Sequence, residues 1–392
     1  MSEKLVSVAS DINISSKEIR FTLRPDFKHL LNFESYYSSI KKSFENTSHA
    51  FLKRLVNDIT CEGSTVIVKL TTVPFTLQHL LSLPDFYLSE TEDAGLYSIK
   101  TSNPTQIIIS KNKKINFSFY KNNFDEVALT QYRDLGQLFN LKSNTCIYTD
   151  GMSLDEYASE QYKNYHRIDF KHEWILTLGF NNNKTTLIQR QYIKNIIDEF
   201  KKKHSLLTSN GTKWTDQILP EDSSFYAKID INEPKSELDN FEEIYTLGIS
   251  KKDYDSSSVV RALAEYIAQK DNMKVQIVGN SDHENIYKDF DIYIAKQGIN
   301  SSAPSNYYSF LYNFDPLISQ YVTEEMLNNC ISAKDKSEYK KQIISVEKTI
   351  IDNFLVVPIL SCRGIDLVSK DLEIDTNLNS DWGFRANAIQ KK

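Results

Sequence analysis

The sequence predicts a two-lobed α/β protein whose mixed sheets are flanked by helices. Three observations carry this. Segment 243–298 reads as strand, helix, strand, strand. Residues 244–249 form a short apolar run, and Val259, Val260, Leu263, Tyr266 and Ile267 recur at helical spacing. Residues 274–279 and 290–295 are again β-rich. With short connections this is a βαβ unit, whose parallel strands need a right-handed crossover. A length of 392 residues allows two or three domains and a large buried core. Hydrophobic content of 40% and charged content of 25% are ordinary for a soluble globular chain. Ligands of open α/β sheets sit beyond the carboxyl ends of the strands. The polar loop 298–306 is therefore the first candidate binding surface.

Taken in order, 19–23 alternates in polarity and stops at Pro25, which predicts a strand. Asn32 caps a helix over 33–44, with Phe33, Tyr36, Tyr37, Ile40 and Phe44 along one side. Residues 51–59 fit either a helix or a bent strand. Residues 65–70 alternate cleanly, and Pro74 opens a short helix to Leu83. Two strands, 95–99 and 106–109, flank the turn signal Ser102-Asn103-Pro104. Segment 111–123, rich in Lys and Asn, is expected to be a solvated hairpin or loop. Helices are expected at 129–141 and 154–162, and strands at 145–148 and 174–180. His166 and His172 are assigned to two different strands. Ile193, Ile196, Ile197 and Phe200 define the inner face of a helix over 189–200, closed by a solvated Lys201-Lys202-Lys203. Segment 205–240 is polar and turn-rich. Helices follow around Met326–Ile331 and Tyr339 to Phe354. In the strand 355–360, Pro358 implies an edge or strand-end position.

Composition excludes several function classes. Aromatics reach 12%, with 22 Tyr and 21 Phe. They read first as large core side chains, with a sticky aromatic cleft as the alternative. A net charge of −6 disfavours nucleic acid, which calls for a basic face. Cys61, Cys146, Cys330 and Cys362 lie far apart, without CxxC spacing, and read as small buried hydrophobes. No apolar run approaches the roughly 20 residues of a membrane span, and residues 1–11 lack the layout of a signal peptide. There is no GxGxxG, P-loop, HExxH or GxSxG motif, and no Cys/His pair at ligand spacing. No carboxylate pair can be placed in one cleft. The expectation is a non-enzymatic protein with no cofactor and no metal.

Several motifs, in order, resemble one family. Ile19-Arg20-Phe21-Thr22-Leu23-Arg24-Pro25-Asp26 resembles its opening strand, and 33–42 resembles the helix that follows. Ala94-Gly95-Leu96-Tyr97 stands where the family has T-G-P-Y. Arg190-Gln191-Tyr192-Ile193, running on to Ile197-Asp198, resembles R-Q-A-L running on to I-D. Phe290-Asp291-Ile292 resembles the F-D strand before the ligand loop, and Val357-Pro358-Ile359 the late I-P-L strand. The family is that of the bacterial extracellular solute-binding proteins (family 5), with the dipeptide, oligopeptide and nickel binders of ABC transporters.

The resemblance implies a periplasmic-binding-protein-like clamshell of type II. Lobe I would be 1–180 with 363–392 returning to it, and lobe II 181–362. It implies a peptide-type ABC transporter component that binds a small molecule or peptide between the lobes. It further implies an ABC permease as partner, a monomer, and a periplasmic or extracellular site. Only 18 residues precede the opening motif, fewer than in the family. The loop after the F-D strand is Asn300-Ser301-Ser302-Ala303-Pro304, without the aspartates that pair with a peptide's ammonium group in the peptide binders. An ammonium buried without a counter-charge costs several kcal/mol, so free peptide N-termini are not expected to be held in the usual way. The same loop type resembles the sensing domain of a bacterial sugar-phosphate-stress regulator. This supports the alternative of a cytoplasmic sensor or interaction module without a transport role. Ligand contacts are expected from Asn300, Ser301, Asn306 and Tyr307. Arg363 would supply a fork for a carboxylate or phosphate, and Trp382 a cover from lobe I.

Overall fold

The computed structural model describes residues 9–15, 17–23, 25, 32–46, 53, 55–77, 97–111, 124–130, 135–141, 143–154, 156–181, 185–208, 211–230, 244–279, 286–299, 303–374 and 389–391. Strands β1 (Ala9–Ile14), β2 (Glu18–Leu23), β3 (Val56–Glu62) and β4 (Thr65–Leu70) form an antiparallel sheet in the order β1-β2-β4-β3. Helix α1 (Phe33–Asn46) lies against it. Its start is capped as the sequence predicts, with the Ser35 amide donating to Asn32 Oδ1 at 2.8 Å. Tyr36, Ile40 and Phe44 form its buried side, and Phe44 meets Phe21 edge-on at 6.3 Å. Gly63, at φ +58, closes the β3–β4 hairpin in the left-handed region that glycine enters without strain. This layer also reaches another part of the molecule. Ile331 joins its core, and Phe75 stacks on Tyr339 with centroids 5.8 Å apart.

A second antiparallel sheet holds β5 (Tyr97–Asn103), β6 (Gln106–Lys111) and β7 (Glu126–Thr130). Asn103 Oδ1 accepts the Thr105 and Gln106 amides and so builds the expected turn. The helix expected at 129–141 is a correction. Its first residues belong to β7, where Leu129 faces Ile107 across the ladder. Among the described residues of that stretch only α2 (Leu135–Leu138) is helical. The leucine spacing suits a helix, but pairing with β6 supplies backbone partners that a local pattern cannot reveal. The helix expected at 154–162 likewise reduces to α3 (Gly151–Leu154) and a 3-10 turn at Ser159–Tyr162. The short helix expected after Pro74 lies largely outside the described residues.

The largest sheet is built by β8 (Cys146–Asp150), β9 (Tyr165–Phe180), β10 (Thr212–Trp214), β11 (Tyr245–Ser250), β12 (Met273–Val278), β13 (Ile292–Gly298) and β14 (Val356–Ser369). Its order is β10-β14-β9-β13-β11-β12, with β8 also on β14. As the βαβ reading requires, β11 runs parallel to both β12 and β13. The interleaved helices are α4 (Leu187–Lys203), α5 (Lys251–Ser256), α6 (Ser258–Ala268), α7 (Ile286–Asp289), α8 (Ser305–Phe314), α9 (Ile318–Tyr321), α10 (Glu324–Ile331) and α11 (Lys336–Asp352). Strands β15 (Leu372–Ile374) and β16 (Ile389–Lys391) pair near the end. Helix α4 opens on a Thr186–Gln189 capping box and buries Ile193, Ile196, Ile197 and Phe200. Among the described residues no helix is long and apolar enough to cross a membrane.

Strands β9 and β14 pair antiparallel from Gly179 with Val356 to Tyr165 with Ser369. One end of this ladder lies in the main core beside Leu176, Leu178 and Leu360; the other packs with Leu138, Phe139, Ile365 and Leu367. Bulges interrupt it at Pro358–Leu360 and between Cys362 and Ile365. The ladder corrects one expectation, since His166 and His172 share β9. Pro358 is the third residue of β14, ahead of the 360–362 stretch that β10 covers, a strand-end position as expected. Lys201 is buried rather than solvated. Its ammonium donates to Thr215 O and Asp216 Oδ1, both at 2.7 Å, and to Pro358 O at 2.9 Å. All four cysteines are free thiols, but Cys61 is exposed and Cys146 half-buried, so only Cys330 and Cys362 fit the expected buried role.

Candidate functional site

The ladder passes from one core to the other at a waist. Here Gly298 of β13, Trp174 of β9 and Cys362 of β14 lie in one row. Strand β8 meets β14 just beyond, with Asp150 opposite Gly364. Two glycines bring the backbones together: a Cβ on Gly151 would lie 2.3 Å from the Gly211 carbonyl oxygen. That carbonyl accepts the Arg363 amide at 2.9 Å. The turn around Gly211 thus locks onto the bulge in β14 where the strand changes core.

The charge at the waist is centred on Lys296. Strand β13 is otherwise apolar over Ile292, Tyr293, Ile294 and Ala295, all buried. Lys296 reaches across to Asp150, Nζ to Oδ2 at 2.6 Å, with the two side chains 14% and 15% exposed. Its ammonium also stands 5.6 Å from the centre of the Trp174 ring, a cation–π distance. Burial pulls the Lys296 pKa down, but Asp150 foremost, with Cys362 and Asp253, more than offsets it. The result lies above the ordinary lysine value. Asp150 keeps two further donors, the Ser153 amide at 3.1 Å and the Ser153 hydroxyl at 3.0 Å. Trp174 Nε1 donates to the Tyr148 hydroxyl at 3.3 Å. A second bridge lies nearby in sequence: Glu156 accepts the Ser258 amide and pairs with Arg261 at 2.5 Å.

Of the expected ligand residues, Asn306 and Tyr307 stand in the first turn of α8, directly after the candidate loop. The Tyr307 hydroxyl donates to Gln297 Oε1 at 2.6 Å, fixing α8 to the end of β13. Asn306 Oδ1 is buried without a hydrogen-bond partner, and so is Arg363 Nε, which follows Cys362 at the bulge. Asn300, Ser301 and Trp382 lie outside the described residues. Sequence reasoning missed Lys296, Asp150, Trp174 and Tyr148. A lone cation in an apolar strand was the one available signal, because the pairing with Asp150 is long-range.

The motifs that carry the family resemblance have structural tasks. Asp291 Oδ2 accepts both the amide and the hydroxyl of Thr246 at 2.7 Å, tying the entry of β13 to β11. Arg190 is buried and donates to Thr185 O at 3.0 Å and Asn353 O at 3.2 Å. A small pocket lined by Lys194, Asp198, Lys201, Asp216 and Pro358 stands apart from Lys296 and Asp150.

The fold is that of the solute-binding proteins, a periplasmic-binding-protein-like α/β clamshell of two lobes. NikA from Staphylococcus aureus, solved with Ni(L-His)2, superposes with a TM-score of 0.76 at 14% identity, over 98% of this chain and 90% of that one. The Escherichia coli murein tripeptide binding protein MppA gives 0.74 at 13% identity, over 98% and 89%. The Bacillus subtilis oligopeptide-binding protein AppA, solved with a nonapeptide, gives 0.72 at 15%, over 98% and 90%. No protein-family model and no curated protein matches the chain.

Proposed function

We propose that this protein is a non-enzymatic solute receptor, the substrate-binding component of a peptide-type ABC importer. The carrying observation is a fold shared over 98% of the chain with binding proteins for nickel–histidine, a murein tripeptide and oligopeptides. The division runs near residues 180 and 362: lobe I is 1–180 with 363–392 and lobe II is 181–362, save that 175–180 of β9 packs into the lobe II core beyond the row of Trp174 and Cys362. The ligand sits at the waist, faced by Asn306 and Tyr307 from lobe II and by Arg363 at the return crossing. The protein acts as a monomer outside the cytoplasmic membrane, handing its ligand to a permease. Closure is a population shift driven by contacts to both lobes at once.

A second reading, a sensor or interaction module without a transport role, is favoured by one observation. On the division proposed above, the pairs Asp150–Lys296 and Glu156–Arg261 would join the two lobes. Native mass spectrometry of the purified chain, followed by small-angle scattering with and without the recovered compound, separates the two readings. Transport requires a bound small molecule and a smaller radius of gyration in its presence. A chain that carries none, and does not contract with any peptide or chelate pool, overturns the importer reading.

A further inference from the structure

We propose that Lys296 is the residue that holds an acidic group of the ligand, and that Asp150 occupies that place until the ligand exchanges with it. The inference rests on the waist being the ligand site. An ammonium in an otherwise apolar strand needs an anion, and Asp150 is its only ion-pair partner among the described residues. The two partners are unequal. Asp150 has the Ser153 amide and hydroxyl to fall back on when the lysine leaves it. Among the described residues Lys296 then has the face of Trp174, which attracts a cation but does not neutralise it, and the field of Asp253, which is not paired with it. The exchange therefore leaves no carboxylate stranded, and it conserves charge at the ammonium. At about one-seventh exposure the pair is shielded enough for strong electrostatics, yet still reachable from solvent. One residue before Gly364, which faces Asp150 across the ladder, the buried Arg363 Nε is a second donor without an acceptor of its own. Both are cationic donors and call for an acceptor, best an anionic one. Neither suits the ammonium end of a peptide.

The test is isothermal titration with citrate, inorganic phosphate, an N-acetylated dipeptide that keeps its carboxylate, and the C-amidated dipeptide that keeps only its amine. The expected result is binding of at least one acid and none of the amidated dipeptide. Asp150→Asn removes the resident competitor and should tighten acid binding about tenfold. Lys296→Met should weaken it at least tenfold. Because Lys296→Met leaves Asp150 without its cation, the double variant Asp150→Asn, Lys296→Met serves as the folded control and should bind no acid. Acid binding that survives in the double variant overturns the proposal, as does an Asp150→Asn variant no tighter than the parent. Recovery of a neutral or cationic ligand that binds Lys296→Met unimpaired also overturns it, while leaving the solute receptor standing. Absence of any small molecule would sink both.

Discussion

Asp366 is fully buried on β14, and neither of its carboxylate oxygens has a hydrogen-bond partner. Burial raises its pKa to about 7. Glu347, fully buried on α11, is raised to about 7 by the same cause, although it accepts the Leu219 amide at 2.9 Å. In the unfolded chain both acids titrate near about 4. Between these values the folded state holds protons that the unfolded state has released. The contribution is complete below about pH 4 and is lost as the pH climbs toward 7, at up to about 1.4 kcal/mol per pH unit for each acid. Asp366→Asn, which cannot ionise, should raise the melting temperature at about pH 8 and change it little at about pH 4. Equal shifts at both pH values would remove ionisation as the cause. At this scale the sequence was partly legible. Asn32 as a cap, Asp291 beside Phe290 and Arg190 beside Gln191 all stood out as motifs. Their tasks did not, because Thr246, Thr185 and Asn353 meet them only in the folded chain. Lys296 was passed over for the same reason.

Elements with strong local periodicity agreed with the sequence: α1, α4, α6, α11 and the strands of the βαβ unit. Those settled by partners did not. Strand β7 carries leucines at a spacing that also suits a helix, and the ladder with β6 decides it. Two elements meet with no room to spare at Gly151 and Gly211. Gly151→Ala should cost about 2 kcal/mol through overpacking, read as a shift in the urea midpoint with an unchanged slope. No loss of stability would mean that the turn at 211 yields freely. Lys201 joins α4 to the segment after β10 and to β14 through three acceptors. Burial foremost lowers its pKa, against the pull of Asp216. Lys201→Met should cost about 1–3 kcal/mol by leaving the carbonyls of Thr215 and Pro358 without this donor. A neutral outcome would show that water replaces the ammonium there.

Across the whole molecule the two-lobed plan was visible in the order of motifs, but the join between the lobes was not. The reading placed a crossing near Phe180 and a return near Cys362. The structure has these as two long strands hydrogen-bonded to each other through the waist. Two ion pairs, Asp150–Lys296 and Glu156–Arg261, also join segments more than a hundred residues apart in the chain. Glu156→Gln removes the charge of the more exposed pair and should shift the ligand-free protein toward a larger radius of gyration at low salt. High salt should reproduce the effect in the parent, since screening weakens accessible pairs first. An unchanged radius under both conditions would mean that the ladder and the apolar contacts of Ile331 and Phe75 hold the arrangement without the ion pairs. The shared ribbon also sets what can be cut away. Each half borrows a stretch of both strands, so stopping translation after residue 180 leaves β9 without β14 along its entire length. Neither half corresponds to a continuous stretch of gene, and excised fragments should be recovered as aggregates unless the missing strand is added back in trans.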